Sequence, residues 1–535
     1  MSCKNLWVLL VAAAGLCLDA TTAYAADCTD LVGKDFGKAH ILSVEKVSPP
    51  ITLRSSDAFT PGGAVTTNAP FCRVHGIMSP TIDSEIRVEM WLPPPSAWNG
   101  KYQSIGNGGF AGVVIYRPMV WALEAGYAVS STDTGHAAEM NDARWAQGHP
   151  EKLTDLGWRA VHETALASKA LIAAYYGRTP AHSYFTGCST GGREGLIEAQ
   201  RFPTDYDGIV AGAPANYWPQ ATARIVAHLQ QMLASPDNWL SPDKLAMINK
   251  ASLKSCHGGV GVLDDPGACH FDPGTLLCKK GQTTDCLTAP EVASMRFQYA
   301  DLHDANGKLV YPGLSPGDEA SWSWTFGPRD NPGLGSASGP FGVGFYRDFV
   351  FGRPDWDWHS LNLERDVPLA LDSPIGKATY AENPDLAAFK AAGGKLLHYH
   401  GYNDPGIPAR GSIYYYQSVV EKMGGVQNIE SFYRLFLGTG MRHCGWGPGP
   451  NAVGGVFGFE SPSRDPEHDL VAALAHWVED GVAPSQITAT LYTDDDPRKG
   501  IAAQRPWCAY PASARYDGKG DQSKAGSYVC TVPKK

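Results

Sequence analysis

This chain of 535 residues is short of positive charge. Lysine and arginine number 44 against 54 aspartates and glutamates, a net charge of −10, and no basic run or stripe breaks that balance. The deficit argues against nucleic acid as a partner. Beyond the N-terminus there is no uninterrupted apolar stretch long enough to cross a bilayer, no internal repeat and no low-complexity tract. Charged residues make up 18% and hydrophobic residues 43%, the balance of a folded globular protein. A chain of this length is expected to divide into about two domains.

Cysteine is not scarce. Residues 1–25 read as a secretory signal peptide, with Lys4, an apolar run over 6–16 and the small-residue site Ala23-Tyr24-Ala25. Cys17 follows Leu16, where a lipoprotein signal places a small residue, which argues against a lipid anchor. Cleavage after Ala25 would send the protein to the periplasm or outside the cell. Cys3 and Cys17 of the twelve cysteines would go with the signal, leaving ten, an even number for an oxidising compartment.

The most informative segment is Gly187-Cys188-Ser189-Thr190-Gly191-Gly192. Before it, 181–186 suits a strand; after it, the run from Gly191 suits a helix. Strand, tight turn and helix are the setting of a nucleophile elbow, in which small residues must flank a strained serine. A serine hydroxyl needs a histidine base oriented by a carboxylate, and in this arrangement the chain order is serine, acid, histidine. Downstream, 395–401 reads as a strand followed by a loop with Asp404. A helix over 413–422, a strand over 432–437 and a loop with His443 come next. Cys188 adjoins Ser189 and Cys444 adjoins His443. If those two cysteines pair, their Cα atoms lie roughly 5.5 Å apart, and the serine and histidine cannot be far from each other. One oxyanion donor is expected from the Thr190 amide, and a second from the glycine-rich loop 104–112, at Gly109.

Strand and helix signals alternate over about 70–218, with a polar–apolar alternation at 85–92, a helix at 164–176 and a buried strand at 208–213; this predicts a mostly parallel sheet covered by helices. From 219 to 369 the pattern breaks into Gly, Pro, four cysteines and an aromatic run from Trp322 to Trp358. We read this as a lid inserted into an α/β-hydrolase sheet and stapled by local disulfides. Its aromatics either line a pocket for a ring-bearing acyl group or fill the lid's own core. The expected organisation is a signal peptide (1–25), a first catalytic part (26–218), the lid (219–369) and a second catalytic part (370–535).

Cys188-Ser189, Asp404 and His443-Cys444, with the segments 131–136, 158–163 and 207–215, resemble the tannase and feruloyl esterase family of α/β-hydrolases, which includes mono(hydroxyethyl) terephthalate hydrolase. The resemblance covers about 28–530. It implies Ser189 as nucleophile, His443 as base and acid, Asp404 as its orienting acid, and the pairs Cys28/Cys72, Cys188/Cys444, Cys256/Cys269, Cys278/Cys286 and Cys508/Cys530. The implied activity is hydrolysis of a small ester with an aromatic acyl group, feruloyl, galloyl or similar, with terephthalate monoesters as an alternative and a non-catalytic secreted binding protein as a rival. Relatives carry a calcium loop in the lid. Here 256–266 is shorter and offers only Asp264 and Asp265, too few for a cation that wants six to eight oxygens, so no metal and no cofactor are expected. The pair His398/His400 is read as packed side chains and not as metal ligands. Asp133 and His136 precede the serine, against the expected order, and are read as loop-stabilising.

Overall fold

The computed structural model describes residues 27–55, 63–259, 261–455 and 457–532; the expected signal peptide lies outside them. Ten strands form one sheet, numbered here in chain order: β1 (Asp35–Phe36), β2 (Ala39–Val47), β3 (Phe71–Met78), β4 (Ile86–Leu92), β5 (Lys101–Ile105), β6 (Ala128–Thr132), β7 (His182–Cys188), β8 (Gly208–Gly212), β9 (Lys395–Gly401) and β10 (Tyr433–Gly438). Their spatial order is β1-β2-β3-β4-β6-β5-β7-β8-β9-β10.

The expectation of a mostly parallel sheet fits one half. From β6 through β5 to β10 all pairs are parallel, whereas β1 to β4, and β4 with β6, pair antiparallel. Connection length explains the split. Only seven residues separate β3 from β4, too few for the crossover that a parallel pair needs.

Successive residues of the central strands point to opposite faces, as the pleat requires. Phe185, Ile209, Ala211, Leu396 and Leu435 join one buried cluster, under helices α1 (Ala160–Tyr176), α2 (Thr190–Arg201) and the later helix Arg410–Lys422. Tyr184, Val210, Leu397 and Phe436 join another, on the face covered by the helices Tyr116–Glu124 and Leu470–Asp480. Both faces are therefore sealed, and the chemistry is left to the ends of the strands.

Between β8 and β9 the chain leaves the sheet for a long insertion whose buried residues form a cluster together with Phe110, Ala143, Leu153 and Leu156 of the preceding part. Its helices include Trp218–Leu233, Pro242–Ser255 and Ala289–Tyr299, the last opened by a capping box of Thr288 and Glu291. The disulfides Cys256–Cys269 and Cys278–Cys286 close short loops in it. Helix Leu363–Asp372 runs through the expected boundary at 369, and Ile375 still packs in the same cluster. Trp322, Phe326, Phe345, Tyr346, Phe349 and Trp356 fill this core. Of the two roles open to the aromatics of this run, core filling accounts for these six.

Candidate active site

The C-terminal ends of parallel strands are where an open α/β sheet leaves a crevice, and the singled-out residues gather there. Ser189 follows β7 directly, Asp404 lies three residues past β9, and His443 lies five past β10. Ser189 has φ +64° and ψ −120°, a conformation that costs an L-residue on the order of 1–3 kcal/mol. It is held by its amide, which donates to the Gly212 carbonyl of β8 at 3.0 Å, and by its carbonyl, which accepts from the Ala215 amide at 3.0 Å. Helix α2 can start there only because Gly192 lets it touch β8: a Cβ on Gly192 would collide with the Gly212 carbonyl oxygen.

The bond between Cys188 and Cys444 brings the two loops together, with Cα atoms 5.9 Å apart across a sequence separation of 256 residues. The other four bridges join Cys28 to Cys72, Cys256 to Cys269, Cys278 to Cys286, and Cys508 to Cys530. Past the bridge, Cys444 and Trp446 both take positive φ, 62° and 57°, so the histidine loop is as sharply bent as the serine turn.

Nδ1 of His443 donates to Asp404 Oδ2 at 2.6 Å. That bond leaves Nε2 unprotonated and able to take a proton. Asp404 is buried and fully engaged. Its Oδ1 accepts from the amides of Gly406 (2.8 Å) and Ile407 (2.9 Å), and its Oδ2 also meets His400 Nε2 at 3.2 Å. Burial alone would raise its pKa, but His443 and the hydrogen bonds from His400 and His443 hold it well below the usual carboxylate range. Among the described residues the Ser189 hydroxyl makes no hydrogen bond. The imidazole and the carboxylate are thus joined, while the Ser189 side chain, 9% exposed, is left without a partner among the described residues.

Opposite the serine turn, the loop after β5 carries Gly109. Its φ is +54°, and a Cβ there would collide with the Met140 carbonyl. The Gly109 amide has no acceptor among the described residues, and Thr190 begins α2, so its amide has none within the helix. The Thr190 hydroxyl donates to the Gly109 carbonyl at 2.6 Å and ties the two residues together.

Three sets of supporting residues had no clear sequence signal. Glu194, buried on α2, accepts from the Asn107 amide at 2.9 Å, while the Asn107 carbonyl accepts from the Gly191 amide at 2.8 Å, so loop and helix are clasped. Burial pushes the Glu194 carboxyl up to about 6, against the opposing pull of Arg193. From the insertion, buried Asp318 accepts from Arg442 at 2.5 and 3.1 Å, and the Pro316 carbonyl accepts from Asn403 at 3.0 Å. Asn403 in turn accepts from the Gly440 amide at 2.9 Å. His400 is packed, as expected, but it also reaches Asp404, and its place on a strand ending beside the acid is the available clue.

His398 bonds Tyr433 and Ser412, and His400 bonds Ser412, Asp404 and the Ile407 carbonyl, so every ring nitrogen of the pair is engaged. Asp133 accepts from the amides of Arg87 and Gly135, and His136 meets the Phe110 carbonyl at 3.0 Å, which anchors both beside the glycine loop. Burial pushes the Asp133 carboxyl up to about 7. Asp264 of the shortened loop is bonded to the Arg505 guanidinium.

Comparison with known proteins gives one consistent picture. Residues 72–531 match the family described as tannase and feruloyl esterase. An uncharacterised esterase of Xanthomonas campestris is 37% identical, with 98% of this chain and 95% of that protein covered. A probable feruloyl esterase B-2 of Aspergillus terreus is 30% identical over 90% of each chain. The crystal structure of feruloyl esterase B from Aspergillus oryzae superposes with a TM-score of 0.84 at 28% identity, covering 93% of this chain and 98% of that one.

Proposed function

We propose that this chain, which belongs to the tannase and feruloyl esterase family and is an aromatic carboxylic ester hydrolase, works through an acyl-enzyme on Ser189. Its substrates are phenolic esters of the feruloyl or galloyl kind. Ser189 Oγ attacks the ester carbonyl carbon and His443 Nε2 takes its proton. The oxyanion so formed is held by the amides of Thr190 and Gly109. Collapse breaks the bond to the alcohol oxygen, which receives the proton from His443. Water, deprotonated by the same nitrogen, then releases the aromatic acid and the serine.

The single observation that carries this reading is the 2.6 Å bond from His443 to a buried, fully satisfied Asp404, next to a disulfide whose other end adjoins Ser189. Three indoles, of Trp239, Trp324 and Trp446, line the cleft beside His443. No cofactor enters these steps. The lid loop 256–266 does not fit calcium, since Asp264 is already neutralised by Arg505. Five disulfides suit an oxidising compartment, which supports secretion or export to the periplasm.

A fluorophosphonate probe tests the nucleophile: wild type is labelled and Ser189→Ala is not. Labelling of Ser189→Ala removes the assignment. Turnover of methyl ferulate, methyl gallate and a terephthalate monoester by the wild type then ranks the acyl groups.

A further inference from the structure

Resting on the reading of Ser189 and His443 above, we infer that the cleft beside His443 seats the alcohol half of the ester, and that Arg329 there selects alcohols carrying a carboxylate. The preferred substrate would be an ester between an aromatic acid and a hydroxy acid.

The argument for the alcohol side is geometric. In acyl transfer the two oxyanion amides fix where the acyl carbonyl lies, and the base stands by the leaving oxygen to which it returns the proton. A cleft of about 840 Å³ is lined by His443, Trp446, Trp324 and Trp239, and its described walls include none of Ser189, Gly109 and Thr190. It therefore extends away from the base and not from the oxyanion donors. Its volume exceeds what a methanol leaving group needs.

The argument for an anion is electrostatic. The described walls hold two cations, Arg329 and Arg442, and no carboxylate. Arg442 donates twice to Asp318 of the insertion. Arg329 is exposed, with its guanidinium carbon 5.3 Å from the centre of the Trp239 ring, and Trp239 is itself fixed by donating to the Gly327 carbonyl at 3.2 Å. Elsewhere on this acidic chain several exposed arginines pair with a nearby carboxylate, as Arg144 does with Asp142, Arg353 with Asp355 and Arg498 with Asp496, while Arg178 lies over Trp98 with no ion pair among the described residues. Arg329 has Asp330 beside it in sequence, and the two form no ion pair. An indole-backed guanidinium with no carboxylate on it, in a cleft whose described walls hold no acid, is a fork placed for an incoming carboxylate.

The test uses ferulate esters of glycolate, ω-hydroxybutyrate and ω-hydroxyhexanoate, each beside its neutral amide-capped counterpart. For at least one tether the wild type should favour the anionic ester in kcat/KM. That preference should fall by about 3- to 10-fold in Arg329→Ala, survive in Arg329→Lys, invert in Arg329→Glu and shrink at about 0.5 M salt. Equal turnover of charged and neutral members by the wild type, or a preference that Arg329→Glu leaves unmoved, overturns the inference while the esterase reading stands. No turnover of any member removes both.

Discussion

The serine wall and the histidine wall of this site are built from different materials. On the serine side much of the position is set by backbone pressed on backbone, Gly192 against the Gly212 carbonyl, Gly109 against the Met140 carbonyl, and the Asn107 carbonyl on the Gly191 amide, with the Thr190 hydroxyl and the Glu194 carboxylate adding side-chain ties. On the histidine side it is set by side chains bonded across the fold, with four donors on Asp404, Arg442 on Asp318, and Asn403 between Pro316 and Gly440. Backbone also presses on backbone at the histidine loop, where Gly401 meets the Arg442 carbonyl, so the walls differ in how much each leans on close contact or on charge and hydrogen bonds.

Three substitutions sharpen or break that contrast. Asp404→Asn keeps the shape and removes the charge that holds the His443 tautomer, so kcat should fall by about 10⁴-fold on methyl ferulate; a loss of less than tenfold would mean the histidine wall does not depend on its carboxylate. Gly109→Ala adds one carbon on the serine wall. Alanine at φ +54° against Met140 must displace the loop and its amide, and kcat should fall by about 10²- to 10³-fold with circular dichroism unchanged. A fully active Gly109→Ala enzyme would show that wall to be compliant. Cys188→Ala with Cys444→Ala uncouples the walls while leaving each intact. Chain-entropy reasoning sets an upper bound of roughly 5–6 kcal/mol on the lost stability, but the larger mark should be on turnover, about 10- to 100-fold. A double variant with a lowered melting temperature and undiminished kcat would show the bridge to be a staple only.

The same contrast explains what was legible beforehand. The turn of the serine wall is built from residues close in sequence, so Gly187, Ser189, Thr190, Gly191 and Gly192 announce it, and chain order then leads to Asp404 and His443. Glu194 also lies on this wall, but its partner Asn107 is 87 positions away, and a Glu inside a helix carries no sign of what it meets. Asp318 and Arg442 are 124 positions apart and belong to segments whose mutual packing depends on the whole insertion. Direction in the sheet was half legible: the alternation at 85–92 marks a strand, and the short link from β3 to β4 held the antiparallel answer. The aromatic run was legible as apolar but not as to destination, because an irregular segment has no period to assign its faces. Trp324 came out beside His443, their rings 5.7 Å apart, while its neighbour Trp322 went into the core.

The 256-residue span of the Cys188–Cys444 bridge has a consequence for biogenesis. A chain emerging N-terminus first presents Cys188 long before its partner, and Cys256, Cys269, Cys278 and Cys286 all appear in between. Machinery that joined sulfurs in order of appearance would trap Cys188 with Cys256. The mature enzyme therefore requires either a thiol shielded within the finished elbow until the last third of the chain arrives, or an isomerase able to undo the wrong bond.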